Sequence, residues 1–230
     1  MTNKEFVSKI KEVATNYKTL YVMGCFGAPM TSANKTRYCN NHTYNKDASR
    51  QKMIQSATAD TFGFDCVNLI KGVLWGWVGN KNHVYGGAKY VANGVPDVSA
   101  DGMIVKCSNL STDFNNIEIG EAVWCKGHIG VYIGDGLAVE CTPKWKNGVQ
   151  ITACNKTVPG YNRRNWTKHG KLPYITYLKT EKSTLEEDLD VFVAKGLMNS
   201  PSYWLAKAPT VTYLPELIHN VANYLKKQEE

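Results

Sequence analysis

The chain has 230 residues, 43% of them hydrophobic and 20% charged, a balance that excludes intrinsic disorder and is enough for a packed core without disulfides. Its net charge of +7 is unevenly placed: from Glu181 onward five Lys face eight acids, net −3, while residues 1 to 180 carry 22 basic and 12 acidic residues, net +10. The basic part would attract polyanions, yet no nucleic-acid motif accompanies it and its Lys are scattered, so nucleic acid is not expected as a partner.

Seven cysteines form an odd count without framework spacing, which points to a reduced compartment. The first thirteen residues interleave Lys4, Glu5, Lys9, Lys11 and Glu12 with apolar residues, unlike a signal peptide, and no segment is long enough to span a bilayer. The expectation is a protein made in the cytoplasm that reaches any outside target by release rather than by a Sec signal.

Phe6, Ile10 and Val13 recur at helical spacing and predict a packing helix over residues 3 to 16. After Tyr21-Val22-Met23-Gly24 comes a polar stretch, Thr31 to Asp60, read as a surface excursion flanking a cleft, with a short helix near Ser49 to Ala57. Next, Cys66, Leu69, Ile70, Val73, Leu74 and Trp77 fall on one face of a helix. Asp65 is its expected N-cap, placing Cys66 in the first turn, where unpaired N–H groups favour a thiolate and the Asp65 charge opposes it.

From Glu121 the pattern changes to a meander of short strands: Ala122 to Cys125, His128 to Ile133, Leu137 to Cys141 and Val149 to Thr152. Ile129, Val131 and Ile133 share the core face, leaving His128 on the cleft side. A three-residue loop, Gly134-Asp135-Gly136, sets Ile133 opposite Leu137 and Gly130 opposite Glu140, so that Glu140 shares the His128 face; a two-residue loop turns Glu140 away. Beyond Lys179 the sequence becomes acidic and helical. A boundary is expected at Thr180 to Ser183, followed by a capping box from Ser183 or Thr184 to Glu186 or Glu187, a second helix at Pro201, and a third with Leu217, Ile218, Val221 and Leu225 on one side.

Gly63-Phe64-Asp65-Cys66, with Gly120-Glu121 leading through Val123-Trp124 to Gly127-His128-Ile129-Gly130-Val131-Tyr132-Ile133-Gly134, resembles the NlpC family of papain-like cell-wall cysteine peptidases. The whole chain resembles a phage or prophage endolysin. The resemblance implies an α+β fold, a helix bearing the nucleophile packed on a small antiparallel sheet, over residues 1 to 179, plus a small all-α unit over 184 to 230. It implies Cys66 as nucleophile, His128 as general base and then acid, and Glu140 where the family usually has His, Asn or Gln. Tyr21 corresponds to the family's cleft tyrosine, a substrate or oxyanion candidate. The implied reaction is thiol hydrolysis of a peptidoglycan stem-peptide amide, γ-D-glutamyl to diamino acid, with the muramoyl-L-alanine amide as alternative. Peptidoglycan is then the expected partner, with anionic wall polymers second, and the helical tail is a candidate for wall binding or for homo-oligomer formation. The mechanism requires no metal or other cofactor.

Competing readings are simpler. Cys66 could be a small buried hydrophobe, and the protein a non-catalytic wall-binding or virion structural component. Cys39 with His42, and Cys125 with His128, each space a zinc ligand pair, but neither has a second pair at finger spacing. Trp75, Trp77 and Trp204 are expected to pack rather than to serve as sugar platforms.

Overall fold

Helix α1, Asn3–Asn16, starts the computed structural model, which describes residues 1–178 and 184–228. Thr2 caps it: its hydroxyl accepts from Glu5 N–H while the Glu5 carboxylate accepts from Thr2 N–H at 2.8 Å, a reciprocal capping box. Phe6, Ile10 and Val13, the predicted stripe, are buried.

The chain is mixed α+β and divides into two compact units, Met1–Leu178 and Lys179–Glu230. In the first, strands β1 (Thr19–Tyr21), β2 (Phe26–Pro29) and β3 (Phe62–Phe64) form a small sheet in the order β1-β3-β2. β1 runs parallel to β3 and sets Tyr21 opposite Phe64. Between β2 and β3 the polar excursion folds into helices α2 (Ser32–Asn41) and α3 (Ala48–Ser56), capped by Thr31 and Asp47. Tyr38, Cys39 and Ile54 anchor it in a core of its own with Leu20, Val22, Cys25, Ala28 and Met30.

Helix α4, Cys66–Leu74, is buried on every side, Lys71 included, which goes beyond the predicted single face. It also ends a turn early. Gly76, at φ 91°, turns the chain, so Trp77 is not part of the helix; its indole instead donates to the Gly27 carbonyl at 2.9 Å. Trp75 and Trp77 are buried, as expected of packing residues, whereas Trp204 is 36% exposed.

After α5 (Ala100–Lys106) come β4 (Ser108–Ser111), β5 (Ala122–Cys125), β6 (His128–Gly134), β7 (Leu137–Thr142), β8 (Gly148–Cys154), β9 (Arg163–Arg164) and β10 (Lys168–Lys171). They form a seven-stranded sheet in the order β4-β10-β5-β6-β7-β8-β9, with the predicted meander at its centre. Ile129, Val131 and Val139 turn inward to a core shared with α1 and α4.

The β6–β7 turn differs from the expected one in an instructive way. It is a two-residue loop, Asp135-Gly136, with both residues at positive φ (54° and 70°), the conformation that matches hairpin twist. Alone this would turn Glu140 away. However, Tyr132 pairs with Ala138 and Gly134 with Leu137, leaving Ile133 as the extra residue of a β-bulge. The bulge restores the alternation, so Gly130 still opposes Glu140.

In the second unit, helices α6 (Thr184–Ala194), α7 (Pro201–Lys207) and α8 (Leu214–Lys227) pack around Leu189, Ala208 and Ile218. The expected boundary and the Ser183 form of the capping box lie outside the described residues. On α8 the buried residues are Ile218 and Ala222; Leu217 is 58% exposed and Val221 36%, so the predicted stripe is only partly covered. Among the described residues no helix is long and apolar enough to cross a membrane.

Candidate active site

Cys66 is the first residue of α4, and its surroundings follow from how that helix is capped. Asp65 receives Asn68 N–H at 2.8 Å and the Asn68 side-chain amide at 2.7 Å, and its carbonyl accepts Leu69 N–H. The same carboxylate receives Gly24 N–H at 2.7 Å, which straps the Tyr21–Gly24 turn to the nucleophile's helix. The remaining N–H groups at this end, those of Cys66 and Val67, together with the Ile129 N–H of β6, favour the ionised form of the thiol. Burial pushes the Cys66 thiol up to about 12, and the Asp65 charge adds to the rise, outweighing those three donors. The opposition of Asp65 and the helix terminus therefore resolves toward a neutral resting thiol.

His128 opens β6, one residue before Ile129. Its Nε2 lies 2.6 Å from Glu140 Oε2, and its ring is stacked on Trp166 with centroids 5.4 Å apart and planes 6° from parallel. Gly130 makes this possible. A Cβ there would fall 2.8 Å from the Val139 carbonyl and 3.1 Å from the Trp166 ring, so only glycine leaves room for the indole under the imidazole. Among the described residues no hydrogen bond joins Cys66 Sγ to His128. With Nε2 committed to Glu140, it is Nδ1 that is free to take the thiol proton.

Glu140 is fully buried and fully engaged. Besides His128 it accepts from Thr152 Oγ1 at 2.8 Å, from Arg164 Nη2 at 2.6 Å, and from Arg164 Nε at 3.1 Å to each oxygen. Burial pushes its acidity the other way, yet the hydrogen bonds and charges of His128 and Arg164 prevail and hold the carboxyl below the usual carboxylate range. Arg164 itself lies beneath Trp145, 4.9 Å from the ring centre, and 5.9 Å from that of Trp166. Trp145 holds this position at φ 54°, a left-handed conformation that costs energy in a bulky residue. Sequence reasoning missed Arg164. It lies on a two-residue strand with no periodicity to mark it, and only the preceding basic pair, Arg163-Arg164, offered a signal.

Tyr21 and Cys66 line the same cleft, of about 730 Å³. Burial and the nearby Cys66 and Asp65 charges raise the phenol well above its ordinary value, so it stays protonated and able to donate. The cleft's other walls come from the excursion, through Arg37, Asn41 and His42, from Lys71 of α4, and from the stretch before α5 that carries Asp97 and Ser99. The excursion thus flanks the cleft.

Other ionisable side chains sit elsewhere. His169 is buried against Glu121 and, through Nε2, lies 2.8 Å from the Asp113 carbonyl. Cys39 is buried in the excursion core while His42 is exposed. Among the described residues no group of three or more His, Cys, Asp or Glu side chains is arranged to hold a metal ion. No protein-family model matches the chain, and no curated protein matches it either.

Proposed function

We propose that this chain is a papain-like, NlpC-type thiol hydrolase of bacterial peptidoglycan, of the kind a phage or prophage uses to open the wall. The observation that carries the reading is the His128–Glu140 hydrogen bond on β6, the strand packed against the helix whose first residue, Cys66, lines the cleft. A buried thiol alone would support nothing, but a carboxylate-oriented imidazole on the strand packed against the helix that begins with the thiol provides the groups that nucleophilic acyl transfer requires.

In the mechanism, His128 Nδ1 removes the Cys66 proton as sulfur attacks the amide carbon. The oxyanion forms near the Cys66 and Val67 N–H groups, with the Tyr21 hydroxyl as a further donor. His128 returns the proton to the leaving amine, the C–N bond breaks and a thioester remains. Water, deprotonated by the same nitrogen, then releases the acid and restores the thiol. Glu140 accepts the hydrogen bond from Nε2–H throughout, stays ionised, and stabilises the transient imidazolium. Because the resting thiol is neutral, proton transfer accompanies attack.

The preferred bond is the γ-D-glutamyl to diamino acid amide; the muramoyl-L-alanine amide is the alternative. Mass spectrometry of digested walls separates them, since new amino termini on the diamino acid mark the first and new L-alanine termini the second. The non-catalytic, wall-binding reading draws on one observation, the 7% exposure of Cys66. Lysis of purified walls by wild type but not by Cys66→Ser decides against it; equal lysis by both overturns Cys66 as nucleophile. The helical unit, with an apolar groove lined by Phe192, Trp204, Leu217 and Val221, is assigned a tethering or self-associating role.

A further inference from the structure

The excursion between β2 and β3 supplies a cleft wall that the chemistry above does not use. Arg37 and Asn41 lie one helical turn apart on α2, and His42 follows at its end. The His42 ring covers Gly24, where a Cβ would fall 2.7 Å from Cδ2 and Nε2. The wall is therefore seated against the Tyr21–Gly24 turn that is strapped to Asp65.

The charges of the cleft do not cancel evenly. Its two carboxylates are both committed: Asp65 to Gly24 and Asn68, and Asp97 to Lys71 and to the Tyr90 hydroxyl at 2.7 Å. The Lys71 ammonium is thereby neutralised and further held by the Val98 carbonyl at 2.9 Å. Arg37 differs. No carboxylate lies within ion-pair distance of it among the described residues, and one nitrogen, Nη1, is engaged, donating to the Tyr85 hydroxyl at 2.7 Å. The guanidinium lies 5.3 Å from the Tyr85 ring centre and 5.4 Å from that of Tyr38. It is thus held in place by an aromatic pair and a hydroxyl, with the rest of its donor fork unspent. An Arg fixed before binding loses little rotamer freedom when a planar, bidentate acceptor arrives.

We propose that this wall is a carboxylate-binding subsite, with Arg37 as its cation and Asn41 and His42 as flanking donors, so that the preferred substrate carries a free carboxylate near the scissile amide. The inference rests on the hydrolase reading and deepens it by naming the substrate class: acidic stem peptides are favoured over those whose carboxyl groups are amidated. A carboxamide presents an NH2 group toward the guanidinium in place of a charged oxygen and forfeits the bidentate pair.

The test uses the full chain and synthetic L-alanyl-γ-D-glutamyl-diamino acid peptides. In one set all carboxylates are free; in two others the glutamyl or the diamino acid carboxylate is a primary amide. Wild type should process at least one amidated peptide with kcat/KM lower by about tenfold or more, the worth of a charged hydrogen-bonded pair. In Arg37→Gln the ratio between free and amidated forms should fall to about twofold or less, with Arg37→Lys between the two. Equal rates on all three peptides, or discrimination that survives Arg37→Gln, overturns the subsite. Calorimetric binding of the same peptides to the Cys66→Ser protein, with and without Arg37→Gln, reads the subsite without turnover. A preference for the free acid that Arg37→Gln removes supports it even if wild type cleaves nothing, and equal affinities overturn it even if the hydrolase reading stands.

Discussion

Arg164 grips the same Glu140 carboxylate that receives the His128 ring, with Nη2 and His128 Nε2 each 2.6 Å from Oε2. One buried oxygen thus links a permanent cation to the imidazole that is to move the proton. The pairing fixes the carboxylate in position and keeps it ionised, and it spreads the negative charge over two partners instead of one.

Replacing Glu140 with Ala should therefore do more than misorient an imidazole. It would leave Arg164, 13% exposed, without its anion, and stripping one partner from a buried pair costs about 3–5 kcal/mol. Glu140→Gln keeps the shape and removes only the charge. Turnover should fall by about a hundredfold or more in Glu140→Gln, with a smaller loss of stability than in Glu140→Ala. Denaturant unfolding beside wall-lysis rates checks both. Wild-type turnover in Glu140→Gln would place the orienting group elsewhere.

The Arg164 contacts also set a pH dependence. Glu140 has its carboxyl held below the usual range, so its contribution to stability is present above the unfolded value of about 4.3 and is lost as pH falls through the lower folded value. Removing Arg164 takes away one of the two partners that depress it. In Arg164→Gln the acid limb of kcat/KM should move to higher pH, and acid unfolding should begin earlier. A profile from about pH 4 to pH 8 is the measurement; an unmoved limb would show that Arg164 acts only as a packing group.

At the alkaline end the sign reverses. Burial pushes the Cys25, Cys66, Cys107 and Cys154 thiols up to about 12. Groups with raised folded values lend stability that is complete below the unfolded thiol value of about 8.5 and drains away as pH climbs toward 12. Thermal midpoints should fall across that window, and alkylation of Cys66 by iodoacetamide should be slow at neutral pH and accelerate through it. Fast labelling at pH 7, mapped to Cys66 by mass spectrometry, would point to a preformed thiolate.

The first unit has its own core, and a chain ending at Leu178 should fold. If the helical unit is a tether, such a truncation keeps its rate on soluble stem peptides while its sedimentation with walls and its lysis at dilute protein fall by about tenfold or more. Equal lysis by both forms at every dilution would remove the tethering role.

Much of this was legible in the sequence because it is periodic. Phe6, Ile10 and Val13 announce α1, and the alternation of Ile129, Val131 and Ile133 announces β6. The shared face of His128 and Glu140 was legible too, although by a different turn from the one expected. What escaped has no period. Arg164 is set in a two-residue strand, α2 has too little apolar patterning to declare itself among Asn, Thr and Lys, and α4 stops at a glycine that its apolar pattern runs straight through. Long-range charge pairing, local capping and left-handed turns made those choices, and none of them repeats along a chain.

The bulge at Ile133 carries a lesson about counting. The extra residue and the tight Asp135-Gly136 turn together set imidazole and carboxylate twelve positions apart; a three-residue loop on an unbulged strand would give the same spacing, and a two-residue loop on an unbulged strand the same geometry at eleven. Deleting Ile133 alone should remove the bulge and leave the Tyr132–Ala138 and Gly130–Glu140 pairs in place, so that the acid keeps its side of the sheet while its separation from the ring drops to eleven positions. The spacing between the two groups can therefore change by one residue at the bulge without moving either side chain to the other face, and a pattern keyed to a fixed spacing would pass over proteins that share the arrangement.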